Sequence, residues 1–180
     1  MTGRRLQNLI DDVQATPSQQ WSLRAGAFVA AILASLATEI AAGTFLAVVF
    51  VAVMVVALVS FLRPDSHAGI GVFFFVGWRW LASVDDVRTP WSIAVAVALL
   101  AFHVCTALAA ITPPGGIVQS STVLRWTWRS VLVAAATIGG WLVMIVLHAR
   151  SAAGNALLTI VAVTLLVAGG LVLRGRTVMR

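Results

Sequence analysis

Residues 66–84 read SHAGIGVFFFVGWRWLASV, an apolar stretch with an arginine, Arg79, set near its end. If it crosses a bilayer, the chain has six transmembrane helices and both termini on one side. If it lies on the surface, there are five and the termini part company. Every other long apolar run reads as membrane-embedded without such ambiguity.

Composition supports that setting. Of 180 residues, 61% are hydrophobic and 10% charged, and the mean hydropathy is +1.01. Soluble domains carry about 25% charged residues, so an aqueous fold could not cover this much apolar surface. No interval between the runs is long enough for an aqueous domain. The expected class is therefore all-α: a polytopic membrane helix bundle forming one integral membrane domain over residues 1–180.

Formal net charge is +6, and all twelve basic residues are arginine; lysine and tyrosine are absent. With abundant Ala, Val and Gly, this bias points to a GC-rich bacterium and to its inner membrane. The arginines stand singly or in pairs at helix ends, where they set orientation and attract anionic lipid headgroups. That arrangement excludes a nucleic-acid surface. The single cysteine, Cys105, excludes an intrachain disulfide.

Residues 4–14, RRLQNLIDDVQ, place Leu6, Leu9, Ile10 and Val13 at helical spacing, which predicts a short amphipathic helix at the cytoplasmic surface. Thr16-Pro17-Ser18-Gln19 then reads as a helix start, with Thr16 as cap, Pro17 in the first position and Gln19 returning a bond to the cap. The segment ahead of the first apolar run is long for a signal-peptide n-region, so a retained helix is expected.

No basic residue occurs between Ala25 and Leu62. As one helix these residues would reach about 57 Å, roughly twice the ~30 Å hydrocarbon core, so the chain must fold back at Gly43. The expected spans are 25–42, 44–62, 66–84, 91–112, 130–149 and 156–173, with residues 117–128 as a mostly uncharged connector ending in Arg125, Trp126, Trp128 and Arg129. Helix 1 carries small residues every four positions, Ala27/Ala31/Ser35 and Ala30/Ala34/Thr38, a surface that lets another backbone approach closely.

Counting arginines decides between six spans and five. With 66–84 spanning, nine arginines (4, 5, 24, 63, 125, 129, 174, 176, 180) fall on the cytoplasmic side and three (79, 88, 150) on the other. With that stretch on the surface the ratio is seven to five. Six helices and two cytoplasmic termini, a multi-pass cell-membrane protein, is the reading the positive-inside bias favours. Arg79 then snorkels toward the outer headgroups, flanked by Trp78 and Trp80.

Glu39 is the single acid within an expected span, about one turn from the outer end of helix 1. Arg79 lies at matching depth, so pairing would lower the penalty of both. Asp85, Asp86, Arg88, His148 and Arg150 stand at the same rim and extend the candidate cluster. The alternative is that Glu39 reaches water beside the Gly43 turn. A carboxyl in a first helix also resembles the loading group of a proton-coupled transporter, though no second membrane acid joins it.

His103, nearer mid-helix, is either a buried neutral histidine bonded to a neighbouring backbone or Thr, or a functional group. His67 and His148 are expected at opposite rims, which leaves no converging metal ligands. No HExxH pair, glycine-flanked serine motif or aspartate cluster of an intramembrane enzyme occurs, and GxxxxGK[ST] is impossible without lysine. The expectation is a non-enzymatic protein without cofactor, a subunit or scaffold whose partners are the lipid bilayer and other membrane helices, as a homo- or hetero-oligomer. A small secondary transporter or channel is the alternative, proton-coupled through Glu39.

Overall fold

The structure, a computed structural model, describes residues 17–64, 66–111 and 116–149, with side chains as far as 146. It is all-α: five helices occur among the described residues, α1 (Ser18–Ala42), α2 (Ala47–Leu62), α3 (Ala68–Ser83), α4 (Trp91–Ala110) and α5 (Ser120–Ala149). One compact unit ends at Trp141 and a second begins at Leu142; the packing below belongs to the first. The expected amphipathic segment 4–14, the Thr16 cap, the span 156–173 and Arg150 lie outside the described residues, as does the side chain of His148.

α1 is the hub. Its most extensive packing is against α4, and it also contacts α2 and, less broadly, α3. The reason is legible in its side chains: Ala27, Ala30, Ala31, Ala34, Ser35 and Thr38 are all buried, so the small-residue rows form the seam on which larger neighbours rest. α2 offers Val49, Val53, Ala57 and Ser60 to this seam, and α3 offers Val72 and Val76. α4 contributes Val95, Ala98 and Phe102, the last only 1% exposed.

The four helices run alternately up and down. Trp21 near the start of α1 meets Phe61 near the end of α2 at 5.6 Å between ring centroids. Gly26 lies against Cys105 from the end of α4, where an added Cβ would stand 3.4 Å from the sulfur. Gly43 makes the first reversal: its φ of +65° is left-handed, and its N–H closes α1 on the Ile40 carbonyl at 3.2 Å. That conformation favours glycine because it has no Cβ to clash.

Among the described residues, three helices are long and apolar enough to cross a membrane: Ser18–Ala42, Trp91–Ala110 and Ser120–Val146. This differs from the six expected spans. The stretches 44–62 and 66–84 become helices of 16 residues each, about 24 Å long against a core of about 30 Å. α2 starts late because Thr44 and Leu46 turn their backbone groups toward Glu39 and Arg79 rather than into a helix.

Two further boundaries shift. α1 starts at Ser18 with Pro17 as an extended N-cap and no side-chain cap bond; Gln19, expected to support that cap, is engaged elsewhere. α5 begins at Ser120 instead of 130. Residues 120–128 contain neither Gly nor Pro, so nothing interrupts helical bonding once the Gln119 carbonyl accepts from Thr122 and Val123.

Outward faces of α1–α4 carry large apolar side chains, among them Leu33, Ile40, Val48, Val55, Leu62, Ile70 and Leu81. A water-soluble protein does not sustain an apolar exterior of this extent; in a membrane it is the lipid-facing surface. α5 is the extreme case, with none of its 18-residue apolar window buried.

Candidate functional site: a buried ion pair and two glutamine straps

Glu39, one turn before the end of α1, and Arg79, one turn before the end of α3, project into the space beside the Gly43 reversal. Arg79 Nη2 lies 2.9 Å from Glu39 Oε2, and the two side chains are 7% and 4% exposed. Arg79 Nε donates to both carboxylate oxygens at 3.1 and 3.3 Å. Its Nη2 also donates to the Thr44 carbonyl at 2.6 Å and to Thr44 Oγ1 at 3.0 Å, while Nη1 donates to Ser83 Oγ. Glu39 Oε2 accepts a further bond from the Leu46 N–H at 2.9 Å.

That last bond gives the carboxylate a second role. Leu46 is the N-cap of α2, so the negative charge sits at the positive end of a helix whose first turn carries no acid of its own. Opposite charges that are both buried and fully hydrogen-bonded offset much of their desolvation. The arrangement ties α1, α2 and α3 together at one end. A hollow of about 340 Å³ opens beside it, lined by Leu36, Glu39, Ile40, Gly43, Thr44 and Phe45.

Of the other expected members of the rim, Asp85, Asp86 and Arg88 lie in the α3–α4 loop. Asp86 pairs with Arg88 at 2.7 Å within the α3–α4 loop, and both are well exposed, a geometry worth little in stability. Asp85 is an exposed residue of the same loop.

His103 is not the buried histidine that its mid-helix position suggests. It lies on an exposed face of α4 with its ring edge-on to Phe73, 6.2 Å between centroids at 73°. His67, expected at a separate depth, lines the same groove as His103. Among the described residues no group of three His, Cys, Asp or Glu is placed to hold a metal ion.

At the opposite end of α1 stands a feature that sequence reading missed. The Gln19 amide donates to the Val118 carbonyl at 3.1 Å and accepts from the Val118 N–H at 3.0 Å. Gln20, fully buried, donates to the Gly116 carbonyl at 3.5 Å and accepts from Arg24 Nη2 at 3.4 Å. The two side chains hold the segment leading into α5 against the first turn of α1. Adjacent glutamines at the start of an apolar helix were the available signal, since buried amides need partners.

Against known proteins, no family model matches the chain, and no curated protein or solved structure matches it either.

Proposed function

We propose that this chain is a non-catalytic multi-pass membrane protein, a subunit or scaffold whose partners are other transmembrane helices. The observation that carries the reading is α5: 30 residues long, strongly apolar, and without a buried residue in its apolar window. Its Ala135/Gly139 and Ala136/Gly140 pairs are of the kind that admit a close helix neighbour. The Glu39–Arg79 pair joins α1 to α3, and its bonds to Thr44 and Leu46 add the turn into α2, which suits a strut more than a reaction centre.

In the proposed topology six segments span a bacterial inner membrane and both termini are cytoplasmic, as the nine-to-three arginine distribution favours. α2 and α3 then cross where the residues flanking them complete the thickness. A cysteine introduced at Asp86 in a Cys105→Ala background should label from outside intact cells. Labelling from the cytoplasmic side alone overturns this topology.

Co-purification in mild detergent tests the subunit reading. A stoichiometric partner, or a homo-oligomer lost on replacing Gly139 and Gly140 by Leu, supports it. A monomer that moves a solute when reconstituted alone overturns it. The hollow beside Glu39 favours one second reading, a small proton-coupled transporter. In that case Glu39→Gln should abolish solute-driven proton flux in proteoliposomes, whereas unchanged flux removes the role.

A further inference from the structure

Hydrophobic length differs from one side of the molecule to the other. α1 has 25 residues, α4 has 20 and α5 has 30, so each reaches at least the ~30 Å of a hydrocarbon core. α2 and α3 have 16 each and reach about 24 Å. The two short helices pack on one another, so together they make one face. Its outward side chains, among them Val48, Val55 and Leu62 on α2 and Ile70, Phe74 and Leu81 on α3, are large, apolar and exposed.

What the flanking residues add to this face is polar thickness, not hydrocarbon. At the Gly43 reversal the N–H groups of Thr44 and Phe45 donate to nothing among the described residues, and both residues are exposed. Unbonded backbone N–H groups do not lie in lipid, so water or headgroups must reach as far as Phe45. At the other end of the face stand Arg63 and His67, both exposed, and α3 leaves into the exposed Asp85 and Asp86. Trp78, 53% exposed, lies more than a turn before the end of α3, and tryptophans of that kind mark headgroup level. Tilting offers no relief, because it shortens the reach of a helix that is already short.

We infer that the α2–α3 face is a surface for thin bilayer. The protein thins the hydrocarbon beside it to about 24 Å, while lipid against α4 keeps its ordinary thickness, and the protein therefore favours short acyl chains. This rests on the reading that α2 and α3 cross the membrane.

Spin labels on the full-length protein test it, on single cysteines at Val48, Val55 and Leu62 in a Cys105→Ala background. The three positions are exposed and follow one another along the outer side of α2 at intervals of about two turns. Bilayers of dimyristoleoyl-, dioleoyl- and dierucoyl-phosphatidylcholine thicken in that order, and collision with oxygen and with a water-soluble nickel complex gives the depth of each label. Val55 should be deepest in every lipid, and Val48 and Leu62 should stay at the hydrocarbon boundary in all three. The unlabelled protein in nanodiscs should melt highest in the thinnest lipid and lower with each step in chain length. Arg63→Leu with His67→Leu extends the apolar stretch at one end and should move that maximum to dioleoyl-phosphatidylcholine. A shallow Val55 means that α2 does not cross, which overturns the six-span reading and this inference together. A deep Val55, with Val48 or Leu62 sinking inward as the chains lengthen, leaves the topology standing and overturns the thinning. Melts indifferent to chain length, or labels closed to oxygen because a second copy covers the face, overturn it as well.

Discussion

Arg79 and Glu39 lie 40 residues apart in sequence and 2.9 Å apart in space, each less than a tenth exposed. The pair is the meeting point of three helices, because Glu39 belongs to α1 and also accepts from the N–H of Leu46, the residue that caps α2, while Arg79 brings in α3. Removing either partner strands the other as an unpaired buried charge. That asymmetry, more than the net worth of the pair, sets what mutation should do.

Glu39→Gln or Arg79→Met alone should destabilise the protein by about 3–5 kcal/mol, and the double variant by clearly less than the sum. Unfolding by denaturing detergent, followed by circular dichroism, gives the three differences. Additive losses would mean that the two charges are separately solvated.

α2 packs tightly on α3 at Gly71, where an added Cβ would lie 2.9 Å from Val56 Cγ1. At Gly69 the same atom would meet Phe102 at 3.7 Å, an ordinary contact. Gly71→Ala should therefore destabilise by about 1–3 kcal/mol through overpacking. Gly69→Ala should be neutral or stabilising by up to about 1 kcal/mol from helix propensity. Thermal melts in detergent decide, and Val56→Ala should rescue Gly71→Ala. Equal effects at the two glycines would show that neither contact limits the approach of the helices.

What could be read from sequence here follows from which signals survive in an apolar chain. The Gly43 reversal and the contact between Glu39 and Arg79 were legible because a lone charge in a hydrocarbon run has few physical solutions. The small-residue rows of α1 were legible for a similar reason, since alanines at that spacing invite a close neighbour. The exposed face of His103 was not, because both sides of α4 are apolar and hydrophobic periodicity then no longer distinguishes inside from outside. The late start of α2 was hidden too: Thr44 and Leu46 are ordinary helix residues until Arg79 and Glu39 claim their backbone. The bonds between Gln19 and Val118 were hidden as well, because the two residues lie 99 apart in sequence.

That Gln19–Val118 exchange should govern where α5 stands. α5 has no packing against α1–α4 comparable to theirs with one another, so its position depends on the segment before it, and Val118 is pinned there at 6% exposure. Gln19→Leu removes both hydrogen bonds and leaves the Val118 N–H and carbonyl unpaired, a loss of about 1–3 kcal/mol. Gln19→Glu keeps the acceptor and loses the donor, so its effect should fall between. Spin labels on cysteines at Ser22 and Thr122, in a Cys105→Ala background, report the α1–α5 distance by pulsed electron resonance. The distribution should be narrow in the parent protein, broader in Gln19→Glu and broadest in Gln19→Leu. An unchanged width in Gln19→Leu would mean that α5 is held by lipid or by a partner helix rather than by the glutamine.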